Sequence, residues 1–98
     1  MTADEKLVLL KMDLQQITCS NDEFLRHLLN FADAMMKKEG ATDDGSIAYE
    51  GIQIEYASYL FRKRAANTAG GKDSATAMPR FLRWQLNNLI FHQHQEDA

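Results

Sequence analysis

Ser20-Asn21-Asp22-Glu23-Phe24-Leu25-Arg26-His27-Leu28-Leu29-Asn30-Phe31-Ala32-Asp33-Ala34-Met35-Met36-Lys37-Lys38-Glu39-Gly40 is the stretch whose reading decides the fold class. Its first four residues form a capping box, in which the serine hydroxyl accepts from the backbone N–H three residues on and the glutamate side chain reaches back. Asp22 and Glu23 put negative charge at the positive end of a helix dipole, and Lys37 and Lys38 put positive charge at its negative end. Phe24, Leu28, Phe31 or Ala32, and Met35 recur at helical spacing and line one face. Gly40 is a natural left-handed stop. The spacing predicts a helix over residues 21–39 with one apolar side to bury.

The same signals recur on both sides of this helix. Upstream, Thr2-Ala3-Asp4-Glu5 is another capping box, and Leu7, Leu10, Leu14 and Ile17 follow as a narrow apolar stripe, giving a helix at about residues 3–16. Downstream, the polar link Ala41 to Gly45 leads to Ser46, which can cap a third helix over residues 47–66. Ile52-Gln53-Ile54-Glu55-Tyr56 alternates as a strand would, but it runs into Ala57-Ser58-Tyr59-Leu60-Phe61 with no turn signal, which favours helix. Residues 67–77 hold no large apolar side chain and read as a flexible surface loop. Pro79 suits the first position of a fourth helix, 79–92, and the polar tail 93–98 is expected to fray. The expected architecture is a single all-α domain over residues 1–98, a compact bundle of about four helices.

Composition narrows the function classes. Of 98 residues, 45% are apolar and 26% charged, so one ordinary core is within reach and wholesale disorder is not expected. Cys19, the only cysteine, rules out an internal disulfide and a cysteine-based zinc site. The longest apolar run, Leu7 to Leu10, is far too short to span a membrane, and the first residues lack the pattern of a secretion signal. The expectation is a soluble protein kept in a reducing compartment. Charge is uneven: residues 1–60 carry five cations against eleven anions, whereas residues 61–95 carry six cations against Asp73 alone. These halves can pair within the fold or between copies, or the basic half can face phosphate.

No reaction can be assembled from the remaining residues. His92-Gln93-His94 points its two imidazoles to different sides of a helix, which is wrong for a metal. His27 reads as a packed or half-exposed side chain, and Asp43-Asp44 as a solvated or capping pair. Gly70-Gly71 lacks the strand and helix start that a phosphate loop needs. No catalytic residue, metal ligand or cofactor site is assigned. Two features remain. Arg62-Lys63-Arg64, with Arg80 and Arg83, forms the densest positive group: a solvated helix end, a phosphate contact or a cross-subunit pair. The third and fourth helices carry apolar residues on more than one side, so each is either enclosed nearly all round or meets another subunit. Trp84, Phe91, Tyr56 and Tyr59 have the chemistry of interface anchors.

Tyr59-Leu60-Phe61-Arg62-Lys63-Arg64, then Met78-Pro79-Arg80-Phe81-Leu82-Arg83-Trp84 and Leu86-Asn87-Asn88-Leu89-Ile90-Phe91 after a Gly-rich loop, resemble the head–tail connector family of tailed bacteriophages. Lys11-Met12-Asp13-Leu14 and the acid-capped helix from Asp22 to Gly40 fit the front of the same pattern. Tyr59 stands where members of that family often carry Trp. The resemblance implies a structural head-completion adaptor, not an enzyme. It would dock on the portal protein as a ring of about a dozen copies, built by head-to-tail contacts. It would extend the DNA channel without sequence-specific binding and offer a platform to the next tail or stopper protein. Its place would be the virion neck, after synthesis in the bacterial cytoplasm. On this reading Arg62, Arg64, Arg80 and Arg83 make subunit or motif-stabilising contacts, with Trp84, Phe91 and Tyr59 as apolar anchors. The alternative reading is a small α-helical DNA-binding regulator that uses the basic group at 62–64.

Overall fold

α3, Ile47–Thr68, is the axis of the molecule: α1 (Ala3–Leu14), α2 (Asp22–Glu39) and α4 (Arg80–Glu96) all pack against it. The computed structural model describes residues 2–14, 22–68 and 78–96, and among them the fold is an all-α bundle of four helices with no strand. Residues 52–56 are helical, as the unbroken run into residue 61 suggested, and not the competing strand.

Local chemistry explains the helix ends. The Thr2 hydroxyl accepts from the Glu5 N–H at 3.1 Å while the Glu5 carboxylate accepts from the Thr2 N–H at 2.7 Å, the reciprocal capping box read from the sequence. The Ser46 hydroxyl accepts from the Tyr49 N–H at 3.1 Å and opens α3. Just before it, the Asp43 and Asp44 carboxylates accept from the N–H groups of Gly45 and Ser46, so the paired aspartates shape the turn. α2 ends in a Schellman motif: the Ala41 N–H reaches back to the Met36 carbonyl and the Gly40 N–H to the Lys37 carbonyl. Gly40 has φ 115°, the left-handed region, and Ala41 and Met36 are both buried beside it. Ser20 and Asn21, the expected cap of α2, lie outside the described residues, as do 15–16 of the first helix and Cys19.

Three corrections concern helix length and face. α4 runs to Glu96 rather than fraying after 92, because Gln93 is clamped to the α2–α3 link: its amide donates to the Thr42 carbonyl at 2.7 Å and accepts from the Thr42 N–H at 2.8 Å. α3 continues to Thr68, so residues 67 and 68 of the expected loop are helical, while 69–77 lie outside the described residues. The inward face of α2 is rotated by about one position from the expected one. Leu25, Leu28, Leu29, Ala32 and Met36 are buried, whereas Phe31 is exposed and Phe24 and Met35 sit at the core's edge.

Polar bonds fix the register of the helices around α3. Lys6 Nζ donates to Gln53 Oε1 at 2.8 Å, and Ser58 donates to the Asp13 carboxylate at 2.5 Å, so α1 runs parallel to α3. Gln53 Nε2 donates to the Leu29 carbonyl at 2.9 Å and the Tyr49 hydroxyl donates to the Asp33 carboxylate, so α2 runs antiparallel. Lys37 completes this group with an ion pair to Asp33 at 2.9 Å. Burial pushes the Asp33 carboxyl up, but the Tyr49 hydroxyl and Lys37 outweigh it and hold the group below the ordinary 3.8. A carboxyl depressed in the folded state stabilises the fold above its unfolded pKa, and that contribution is lost as pH falls through the folded pKa.

Two outcomes follow from these contacts. Gly40→Ala strains a left-handed residue and lowers stability by about 1 kcal/mol, a fall in Tm of roughly 4–8 °C; an unchanged Tm contradicts the Schellman stop. Asp33→Asn flattens the acid limb of the stability curve below about pH 4 in urea titrations; a variant with the wild-type acid limb contradicts the role assigned to the Tyr49–Asp33–Lys37 group.

Candidate assembly interface

The two-sided apolar pattern has different outcomes on α3 and α4. On α3, Ile52, Ile54, Tyr56 and Ala57 are buried, because the other three helices surround it. α4 buries Leu82, Leu86 and Leu89 inward, and its other side stays in solvent: Phe81 is 65% exposed, Trp84 60% and Phe91 59%. Ile47 at the start of α3 is 80% exposed and shares a groove with Trp84, Asn88 and His92. The rings of Phe81 and Trp84 stack at 5.9 Å with 13° between their planes, so they present one flat aromatic surface. On a chain of 98 residues this is a large apolar area to leave wet.

The basic residues divide between internal partners and solvent. Arg83 donates to Glu39 at 2.5 Å and ties the first turn of α4 to the end of α2. Arg62 reaches the Asp13 carboxylate at 3.5 Å, a long and exposed contact of small energetic weight. The Arg64 guanidinium lies 4.9 Å from the centre of the Phe24 ring, and Lys63 Nζ lies 6.0 Å from that of Tyr59. Arg80 is exposed beside Phe81 and makes no ion pair with a described residue. The acidic and basic halves of the chain thus pair partly within the fold, through Asp13–Arg62 and Glu39–Arg83. Tyr59 is half-buried and meets Tyr56 edge-on at 6.1 Å, which sets it at the base of a groove with Phe81 and Pro79. Trp84, Phe91 and Arg80 share the outer side of α4, Arg62 on α3 lines the groove that Phe81 also lines, and Arg64 faces Phe24 on α2.

Sequence reasoning missed a second apolar surface. Val8 and Met12 on α1 are more than half exposed, and Leu9 is 40% exposed. The signal was present: Leu7-Val8-Leu9-Leu10 is continuous, and a helix that buries Leu7 and Leu10 must turn Val8 and Leu9 outward. Glu55, in the groove between α3 and α4, was also passed over; burial, with Asp13 nearby, raises its carboxyl above the ordinary value. Among the described residues no group of three or more His, Cys, Asp or Glu side chains could hold a metal ion, and no helix is long and apolar enough to cross a membrane. No protein-family model, curated protein or solved structure matches the chain.

The exposure of Trp84, the only tryptophan, is directly measurable. Its emission is expected to be that of a wet indole, quenched by acrylamide almost as freely as the free amino acid, and Trp84→Ser is expected to leave stability within about 0.5 kcal/mol. Blue-shifted, unquenched emission from the monomer contradicts an uncovered α4 face.

Proposed function

We propose that this chain is the structural head–tail connector of a tailed phage or prophage, a non-catalytic adaptor that docks as a ring on the portal, extends the DNA channel and joins head to tail. The observation that carries the reading is the uncovered aromatic row Phe81–Trp84–Phe91, which a lone domain gains nothing by exposing. Added to it is the sequence resemblance at Tyr59–Arg64 and Met78–Phe91, the two segments that supply the end of α3 and most of α4. Trp84 and Phe91 are the apolar anchors toward a partner, with Arg80 as the cation at the edge of the row. Arg83 acts one step back, holding α4 in place through Glu39.

A conduit for DNA works best with walls that hold phosphate weakly, and a formal charge of −3 suits that task better than it suits a DNA-binding domain. The net acidic charge weighs against the DNA regulator reading, whereas the contacts of Arg62 with Asp13 and of Arg64 with Phe24 are too exposed or weak to decide against it. In the adaptor role the protein resides in the virion neck and is made in the host cytoplasm.

The test combines two measurements. Electron microscopy of the chain mixed with the portal encoded in the same genome is expected to show an added ring that Trp84→Ser/Phe91→Ser does not form. Duplex DNA titrated at about 50 mM and about 200 mM salt is expected to show weak binding throughout. Tight DNA binding with a steep salt slope and no ring on the portal overturns the proposal in favour of a regulator.

A further inference from the structure

We propose that neighbouring copies join by docking the outer face of α1 into the groove between α2 and the end of α3. The proposal rests on the ring reading above and names the contact between neighbours. The groove has a volume of about 480 Å³ and is walled by Phe24, Phe31 and Leu60, with Lys63, Arg64 and His27 among them and no carboxylate among the described residues that line it. His27 and Phe31 stack in parallel at 6.4 Å, so the α2 wall is a flat aromatic shelf. A basic, aromatic-lined groove selects a partner that is apolar and negatively charged together.

The outer face of α1 has that chemistry. Asp4, Glu5, Val8 and Leu9 line one shallow depression there, and Met12 continues it. The capping contacts of Thr2 hold the Glu5 carboxyl below its ordinary value, so it is charged at neutral pH. Asp4 spends part of its charge on Arg26 at 3.1 Å, but both groups are largely exposed and such a pair exchanges at little cost.

The two surfaces lie on opposite sides of α3, which is what a head-to-tail contact requires. Ser58 faces α1, through its bond to Asp13. Leu60, two residues on, is rotated by about 200°, and Lys63 by about 140°, at 3.6 residues per turn. A copy that offers α1 on one side and the groove on the other can continue the contact through every neighbour, and closes a ring where the rotation permits. α4 takes no part, so its aromatic row is left for the portal or the next neck protein.

The experiment uses the full chain, labelled with 15N, and two variants that each spoil one side: Val8→Lys on α1 and Lys63→Glu in the groove. Raising the wild-type concentration is expected to shift the amides of residues 4–12 together with those around Phe24, Phe31 and Lys63. Each variant alone is expected to associate at least about tenfold more weakly. Labelled Val8→Lys mixed with unlabelled Lys63→Glu is expected to form a one-to-one pair, with shifts in the labelled copy confined to the groove. Variants that associate as wild type does, a mixture that stays monomeric, shifts centred on α4, or a groove that responds to duplex DNA but not to a second copy each overturn the proposal. Rings on the portal that survive both variants refute this contact and leave the connector reading intact. A one-to-one pair without any portal ring does the reverse.

Discussion

One helix occupies the middle of this bundle, and its enclosure constrains everything else. α3 is covered by α1, α2 and α4, and among the described residues no further helix lies over those three. Gln53 pins the arrangement: from a buried position on α3 it accepts from Lys6 on α1 and donates to the Leu29 carbonyl on α2. A buried amide satisfied on both ends fixes the register of three helices at once, because any slip leaves a buried polar group unpaired. Around that pin the inward faces are used up, and the outward ones carry Val8, Met12, Trp84 and Phe91.

α4 is held differently from the other two. Its inner row of Leu82, Leu86 and Leu89 is short, and polar contacts to the end of α2 and the link after it complete its attachment. Arg83 bonds Glu39, Gln93 brackets the backbone of Thr42, and Ile90 and His94 lie over Gly40, where even an added Cβ would meet them at ordinary contact distances. Two ends of α4 are thus referenced to one chain reversal, and the aromatic row between them is presented at a fixed angle. Such preorganisation favours the proposed docking role, since less freedom is lost when a partner arrives.

Much of this fold was legible because helix ends announce themselves in residue types. Thr2 with Glu5, Ser46 and Gly40 each mark an end by a bond that their own side chain or backbone makes, and such bonds are local in sequence. What was not legible depends on partners far along the chain. Gln93 reads as a frayed polar residue until Thr42 is beside it, and nothing in the sequence pairs Ser58 with Asp13, 45 residues away. The inward face of α2 was misjudged because Phe24-Leu25, Leu28-Leu29 and Met35-Met36 offer two adjacent apolar rows, and only the position of α3 selects between them. The interface candidates fared unevenly for the same reason. The aromatic residues of α4 were apparent as surplus, but the internal engagement of Arg62 and Arg83 rests on acids 49 and 44 residues away.

The proposed assembly requires that this bundle carry unlike faces that fit one another, so that identical copies close on themselves. Native mass spectrometry of the full chain over increasing concentration tests it most directly. The account predicts a monomer in exchange with one dominant closed assembly of about a dozen chains and few species beyond it. Symmetric dimers that grow no further, or a chain that stays monomeric even when the portal protein is added, contradict it.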